Sequence, residues 1–207
     1  MWAPQVPREQ GNRGSLLPGF SAKNSLKKSL KNLIVSVGML QEKISKIQEE
    51  YRSAYPSTIF NKERGKLECA AHVMRHVDMK DLFRSTVFSP ENGRVVFEYP
   101  FFKTFAHPEN YASLVDFVIQ VLHESIQKNG TFEIHVNLKS FTPTAARRYL
   151  EVIQLFCNKC LASNTEFSRL MTQMYLYNSP KIVHMISSIL RGVVDDTVRS
   201  KIVIVPA

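Results

Sequence analysis

Cys69, His72 and His76 are spaced i, i+3, i+7, and Cys157-x-x-Cys160 offers two further thiols. On one helix the first three would share a face, and four of the five would suit tetrahedral zinc. Structural zinc, however, takes its cysteine pairs from tight turns, and both groups here fall within helical patterns. Small buried residues on apolar faces are the plainer reading. A redox role for Cys157 and Cys160 needs a thiol pKa lowered at a helix N-terminus, whereas this pair stands late in its helix. No metal is therefore expected, with Cys69, His72, Cys157 and Cys160 as the alternative set. With 8 glycines in the chain, no helix start carries a Gly-rich phosphate loop. There is no nucleophile elbow, and the histidines pair with no obvious nucleophile. No catalytic residue is assigned, and the chain is read as a binding protein, not an enzyme.

Charge supplies a second group of candidates. The 207 residues carry a formal net charge of +9. Residues 1–66 hold 12 Lys/Arg against 5 Asp/Glu, a net of +7, and residues 67–207 hold 15 against 13, a net of +2. The excess cation thus sits on the N-terminal third, which favours anionic lipid, nucleic acid or an acidic partner. Lys23, Lys27, Lys28 and Lys31 precede the apolar centre of a helix. They would lie on anionic headgroups while the apolar stripe inserts; the alternative is a solvated face on a helix packed inside the protein. Aromatics are not interleaved with these lysines, so a nucleic-acid stacking platform is not expected.

That helix, about residues 24–53, carries apolar residues at Leu26, Leu30, Leu33, Val37, Leu40, Ile44, Ile47 and Tyr51, in steps that alternate four and three. This is a heptad seam, with Leu mostly at d and Val37 and Ile44 at a, a choice that favours a parallel dimer. Ile34, Val35 and Met39 widen the stripe, as packing on a globular core requires. Dimerisation and intramolecular packing both stay open.

The elements that must position these residues follow in order. Residues 1–20, rich in Pro and Gly and without the apolar centre of a secretory signal, read as a disordered leader. Residues 21–88 read as a helical region, with Tyr55-Pro56 ending the first helix and a second helix at about 61–83. From residue 89 the pattern alternates. Strands are expected at Arg94–Tyr99, Thr131–Leu138, Met171–Tyr177 and Lys201–Val205, and helices at about 108–128, 142–161 and 181–192. Gly130 stops the first of these helices, and Thr142-Pro143 opens the next. The fold class is α/β, a mainly parallel sheet with flanking helices, preceded by N-terminal helices. No apolar stretch approaches the ~20 residues that span a bilayer. Three cysteines, an odd number, suit a reducing compartment. A cytoplasmic protein, peripheral to membranes, is expected.

The stretch Met174-Tyr-Leu-Tyr-Asn-Ser-Pro180, the helix KIVHMISSILRGVV and Asp195-Asp-Thr-Val-Arg-Ser-Lys201-Ile-Val-Ile-Val205 resemble the Sec14-like (CRAL-TRIO) lipid-binding family. The family's succession is strand, Asn-Ala/Ser-Pro, amphipathic helix, Leu-Asp-Pro-x-Thr and Lys-Ile before the next strand. Asn178, Asp195 and Lys201 fall at matching positions, and FEIHVNLKSFTPTAARRYLEVI resembles the strand and helix upstream. The similarity covers residues about 94–205. A STAS-type sheet–helix domain, suggested by Ser140 and Thr142, accounts less well for Asp195 to Lys201.

The resemblance implies an apolar pocket between a sheet floor and helices, holding a phospholipid or another lipophile, with no other cofactor. It implies that Lys201 contacts a lipid headgroup, since an ammonium offers three donors to phosphate. Arg169, where the family usually has a glutamate, is a second headgroup candidate. Other departures are Val198 for threonine, Asn137 for aspartate and Lys139-Ser140 for glycine. In this reading the family's gate helix follows the last strand, and the chain ends at Ala207. The N-terminal helices or a partner are therefore expected to cover the pocket. The expected function is a lipid-binding or membrane-associating module. The alternative is a protein-interaction adaptor on a degenerate version of this fold, dimerising through the heptad helix.

Overall fold

The computed structural model describes residues 19–56, 62–90, 93–162, 165–178, 194 and 196–205, with side chains described from Val37 onward. The expected leader and the helix expected at 181–192 lie outside the described residues, except that Gly19 and Phe20 already belong to a helix. The chain divides into two compact units, residues 1–40 and 41–207. Helix α1 runs Gly19–Ala54, α2 Lys62–His76 and α3 Met79–Thr86. One helix was expected at about 61–83, but two are present. Asp78 breaks the run at φ −60°, ψ 130°, and its carboxylate accepts from the Lys80 N–H (2.7 Å) and the Asp81 N–H (3.3 Å). A new N-cap there is more favourable than continuing the helix.

Strand β1 (Val87–Phe88) pairs antiparallel with β2 (Arg94–Glu98), and Gly93, just before β2, adopts φ 73°. Helix α4 (Tyr99–Phe102) leads to α5 (Pro108–Asn129). His107 and Asn110 form a reciprocal capping box at the start of α5, Pro108 occupies its first turn, and Gly130 at φ 76° stops it. Both ends thus follow local rules. After β3 (Phe132–Asn137), Thr142 caps α6 (Pro143–Arg148) by accepting from the Ala145 N–H at 3.2 Å. The single helix expected at 142–161 is interrupted. Tyr149 leaves helical geometry (φ −103°, ψ 15°), α7 covers Leu150–Phe156, and a π-helical turn covers Cys157–Leu161. Helix α8 (Glu166–Leu170) and β4 (Met171–Tyr177) follow, and a short helix, Asp196–Ser200, precedes β5 (Ile202–Val205).

The sheet order is β1-β2-β3-β4-β5, parallel from β2 onward. Each parallel crossover steps to the next strand in one direction. Right-handed crossovers of that kind put their helices on one face. Strand alternation then sorts the side chains. Val95 and Phe97, Ile134 and Val136, and Met174 and Leu176 share the face that α5 and α7 cover, and the register continues it to Ile202 and Ile204 on β5, where Ile204 is exposed. On the opposite face the register aligns Val96, His135, Tyr175 and Val203, then Glu98, Asn137, Tyr177 and Val205. There the rings of His135, Tyr175 and Tyr177 cluster, with His135 stacked against Tyr175 (4.9 Å) and Tyr177 (5.7 Å). Phe132 in β3, and Leu82, Phe105, Leu114 and Leu122 beside the sheet, are all buried to within 1% exposure. Burying each contributes roughly 1.5–3 kcal/mol.

Candidate functional site

The face that carries α5 and α7 is not filled. A cavity of about 190 Å³ lies between Val95, Phe97, Ile134, Val136, Met174 and Leu176 on the sheet and Leu114, Val118, Val152, Ile153 and Phe156 on the helices. Its lining exposes no polar surface. The alternation of the strands dictates this: every second residue faces α5 and α7, and each of those is aliphatic, aromatic or Met. Tyr99, Phe102, Phe141 and Tyr149 close one end. The Tyr99 ring meets Phe141 edge-on at 4.8 Å, and Tyr149 meets Phe102 at 4.9 Å. Burial pushes the Tyr99 phenol up to about 12, with nearby Tyr149 adding to the effect.

Beyond Tyr99 and Tyr149 lies an open cleft of about 1010 Å³ formed by the end of α1, α2, α4 and the segment leading into α6. Gln48 reaches across its rim to the Thr104 carbonyl at 3.3 Å. On its wall, Arg148 donates to Glu63 Oε2 from Nε (2.7 Å) and from Nη2, although the two residues are 85 positions apart. Burial, the largest single influence, would lower the Arg148 pKa, but the hydrogen bonds and charge interactions with Glu63 and Tyr149 together offset it and raise it. For Glu63 desolvation likewise works in the opposite sense, yet the bonds from Arg148 and Lys66 hold the carboxyl below its usual range.

The expected headgroup pair is elsewhere. Lys201 Nζ donates to the carbonyls of Met171 (2.8 Å), Ser168 (2.9 Å) and Arg169 (3.4 Å). Its three N–H groups therefore bind carbonyls at the end of α8 and the start of β4, where a cation also meets the negative end of a helix dipole. Arg169 is exposed beside it, and neither residue lines the cavity. Any phosphate at Lys201 must displace these carbonyls.

At the carboxyl ends of the strands the structure forms a chain of amides. Asn137 Nδ2 donates to Glu98 Oε2 (2.8 Å), while its Oδ1 accepts from Asn178 Nδ2 (2.9 Å) and the Lys139 N–H (3.1 Å). An amide can do both; the family's aspartate here would set a second carboxylate against Glu98. Asn178 adopts φ 52°, a conformation that asparagine tolerates better than most residues.

The metal alternative does not assemble. Among the described residues, no three His, Cys, Asp or Glu side chains are grouped to hold an ion. Cys69 points inward at 6% exposure, while the His72 and His76 rings meet at 4.3 Å, tilted to each other, toward the surface. Cys157 and Cys160 are buried, and burial pushes both thiols up to about 12. Burial of this kind disfavours the thiolate that redox chemistry and metal ligation require.

The seam divides. Leu26, Leu30 and Leu33, like the side chains of Lys23, Lys27, Lys28 and Lys31, lie outside the described residues. Val37 and Leu40 are half-buried. Ile44 and Ile47 are buried within the chain itself, and Tyr51 meets His72 at 5.2 Å and donates to Glu68 at 3.4 Å. At this end the helix packs intramolecularly.

The family model of the CRAL/TRIO domain matches residues 91–207. The chain belongs to the CRAL/TRIO family. The matched span holds the sheet from β2 onward with its crossover helices, and so most of the cavity lining; the wall of the adjacent cleft from α1 and α2 lies before it. Members of the family are known for binding and transferring lipids and small lipophiles. No curated protein matches the chain. Among solved structures, one titled "Crystal structure of Sfh5" is similar to it, with a TM-score of 0.47 and 14% sequence identity. That similarity covers 70% of this chain and 56% of the other, so this CRAL/TRIO chain spans little more than half of that relative.

The cavity residues and the Arg148–Glu63 pair on the cleft wall were not assigned from sequence. The alternation Val95/Phe97, Ile134/Val136, Met174/Leu176 carried the signal for the first. Nothing local marks the second.

Proposed function

We propose that this CRAL/TRIO domain binds a lipophile in the apolar cavity between the sheet and helices α5 and α7. One observation carries the reading: a void of about 190 Å³ without polar lining. Protein interiors pack like organic crystals, with few voids larger than a water molecule. A dry apolar cavity of ~150 Å³ already accepts a benzene-sized guest. A space of this size takes one hydrocarbon chain segment or a small ring system, and a two-chain lipid needs the helices to move apart. Mass spectrometry of organic extracts from the purified protein is expected to find a stoichiometric lipophile. Repeated recovery of empty protein, together with no uptake from vesicles, would sink the reading.

The basic stretch of α1 gives this module a route to membranes as a peripheral, cytoplasmic protein. No helix among the described residues is long and apolar enough to cross a bilayer. Lys23, Lys27, Lys28 and Lys31 each contribute about 1 kcal/mol at an anionic surface. Flotation with anionic vesicles is expected to fall severalfold for Lys27/Lys28/Lys31→Ala. Unchanged flotation would assign docking to another surface.

A further inference from the structure

The cleft beside the cavity holds an excess of cations that a lipophile leaves unused. Arg52, Arg64, Lys66, Lys103 and Arg148 line it, against Glu68 alone. Glu63, just outside the lining, pairs with Arg148 and with Lys66, and Glu68 pairs with Arg64. Five cations less two carboxylates leave three positive charges in excess around one concavity. Concave low-dielectric walls concentrate such a field, so the cleft favours an anion.

The existing pairs show which anion the wall accommodates and which cations stay open to one. Arg64, Lys66 and Arg148 each hold a carboxylate of the chain itself. Among the described residues, Arg52 and Lys103 do not. Arg52 Nη2 donates to Gln48 Oε1 at 3.4 Å, and Lys103 Nζ to the Ser140 hydroxyl at 2.7 Å. Gln48 Nε2 donates in turn to the Thr104 carbonyl at 3.3 Å, so Arg52, Gln48, Thr104 and Lys103 follow one another along the rim. The two open cations stand at the ends of this row, which suits several carboxylates on one chain better than a single small anion. Desolvation, and then the like charge of Lys66, lower the Lys103 pKa, and a carboxylate bound beside them offsets that repulsion.

The cleft also presents an aromatic surface. Tyr55 is 65% exposed, and its ring centroid lies 5.0 Å from that of Tyr51. Tyrosine and arginine side by side are the composition of interface hot spots, where a ring supplies contact area at low entropic cost. A lone small anion makes no use of these rings. At about 1010 Å³ the cleft stands at the upper end of small-ligand pockets, roughly 300–1,000 Å³, and has room for a short stretch of polypeptide.

We propose that this cleft docks an acidic peptide segment of a partner protein, with its carboxylates on Arg52 and Lys103 and an aromatic or apolar side chain on Tyr51 and Tyr55. This partner is independent of the lipophile, because Tyr99 and Tyr149 stand between the cleft and the cavity. Exposed cations recognise acidic motifs chiefly through steering and register, so binding weakens as salt rises.

Fluorescence anisotropy on the full chain tests it, with a labelled peptide alternating glutamate and tyrosine and a counterpart in which glutamine replaces glutamate. The glutamate peptide is expected to bind about tenfold more tightly at low salt and to lose that advantage at ~0.5 M salt. Arg52→Gln combined with Lys103→Gln is expected to abolish the preference. Lys43→Gln combined with Lys46→Gln removes the same charge from exposed positions outside the cleft and is expected to keep it. Arg52 and Lys103 are themselves exposed, so an unaltered thermal midpoint verifies that the variant folds. Tyr55→Ala, at a position 65% exposed, is a second variant, expected to weaken binding of both peptides severalfold. Equal affinity for the two peptides, or binding of neither, overturns the site. So does an equal loss in the two charge variants, which reduces the attraction to net charge. Oligothymidylate of the same charge that binds as tightly, and is lost with Arg52 and Lys103, overturns the peptide in favour of nucleic acid.

Discussion

Val136→Phe combined with Ile153→Phe is expected to reduce lipid uptake at least tenfold while changing stability by no more than about 1 kcal/mol. Val136 lies on β3 and Ile153 on α7, and both line the cavity. Each substitution adds a ring to a space already empty of side chains. The usual result of enlarging a core residue is strain costing 1–3 kcal/mol, because the surroundings are full. Here the void accepts the added volume, and filling a cavity commonly stabilises by 0.5–2 kcal/mol. The two effects separate binding from folding: uptake of a fluorescent fatty acid reports the first, and urea unfolding the second. Full uptake with the cavity filled would place the lipophile elsewhere. A loss of several kcal/mol would mean that the space is not free in solution.

Ile44→Ala is expected to cost about 2–4 kcal/mol of folding stability, equally at low and high protein concentration. Ile44 is 1% exposed, and the neighbouring turns of α1 are tied to the rest of the unit by the Gln48–Thr104 bond and by Tyr51 against His72. The side chain belongs to the core of residues 41–207, so its removal leaves a hole whatever the oligomeric state. If the loss instead varied with concentration in urea unfolding, the seam would be an interface between copies. Because unfolding of an obligate dimer depends on concentration by mass action, the two cases separate cleanly.

Several features of the fold could be read along the chain because adjacent residues determine them. Arg94–Glu98, Phe132–Asn137 and Met171–Tyr177 were legible as strands from β-branched and aromatic alternation, and the intervening helices implied parallel pairing. Pro108, Gly130 and Thr142-Pro143 marked helix ends through backbone rules that act within four residues. Asp78 was equally local, yet the apolar period continues across it and hid the break. Strand β1 has two residues, too few to show a period, and exists because β2 offers it a partner.

By itself, then, the sequence determined a basic α/β chain of parallel strands in the CRAL/TRIO family, since alternation, caps and family motifs are all short-range patterns. Only the tertiary structure decided what its charged and apolar residues meet. Lys201 fits a headgroup pattern locally, but folding brings the end of α8, some thirty residues away, to its ammonium. Glu63 and Arg148 meet across 85 positions, and Lys103 and Ser140 across 37. The cavity and the cleft beside it are spaces between elements, and their size depends on how closely layers pack. No local run of residues encodes that distance; it is set by the sum of contacts across the core.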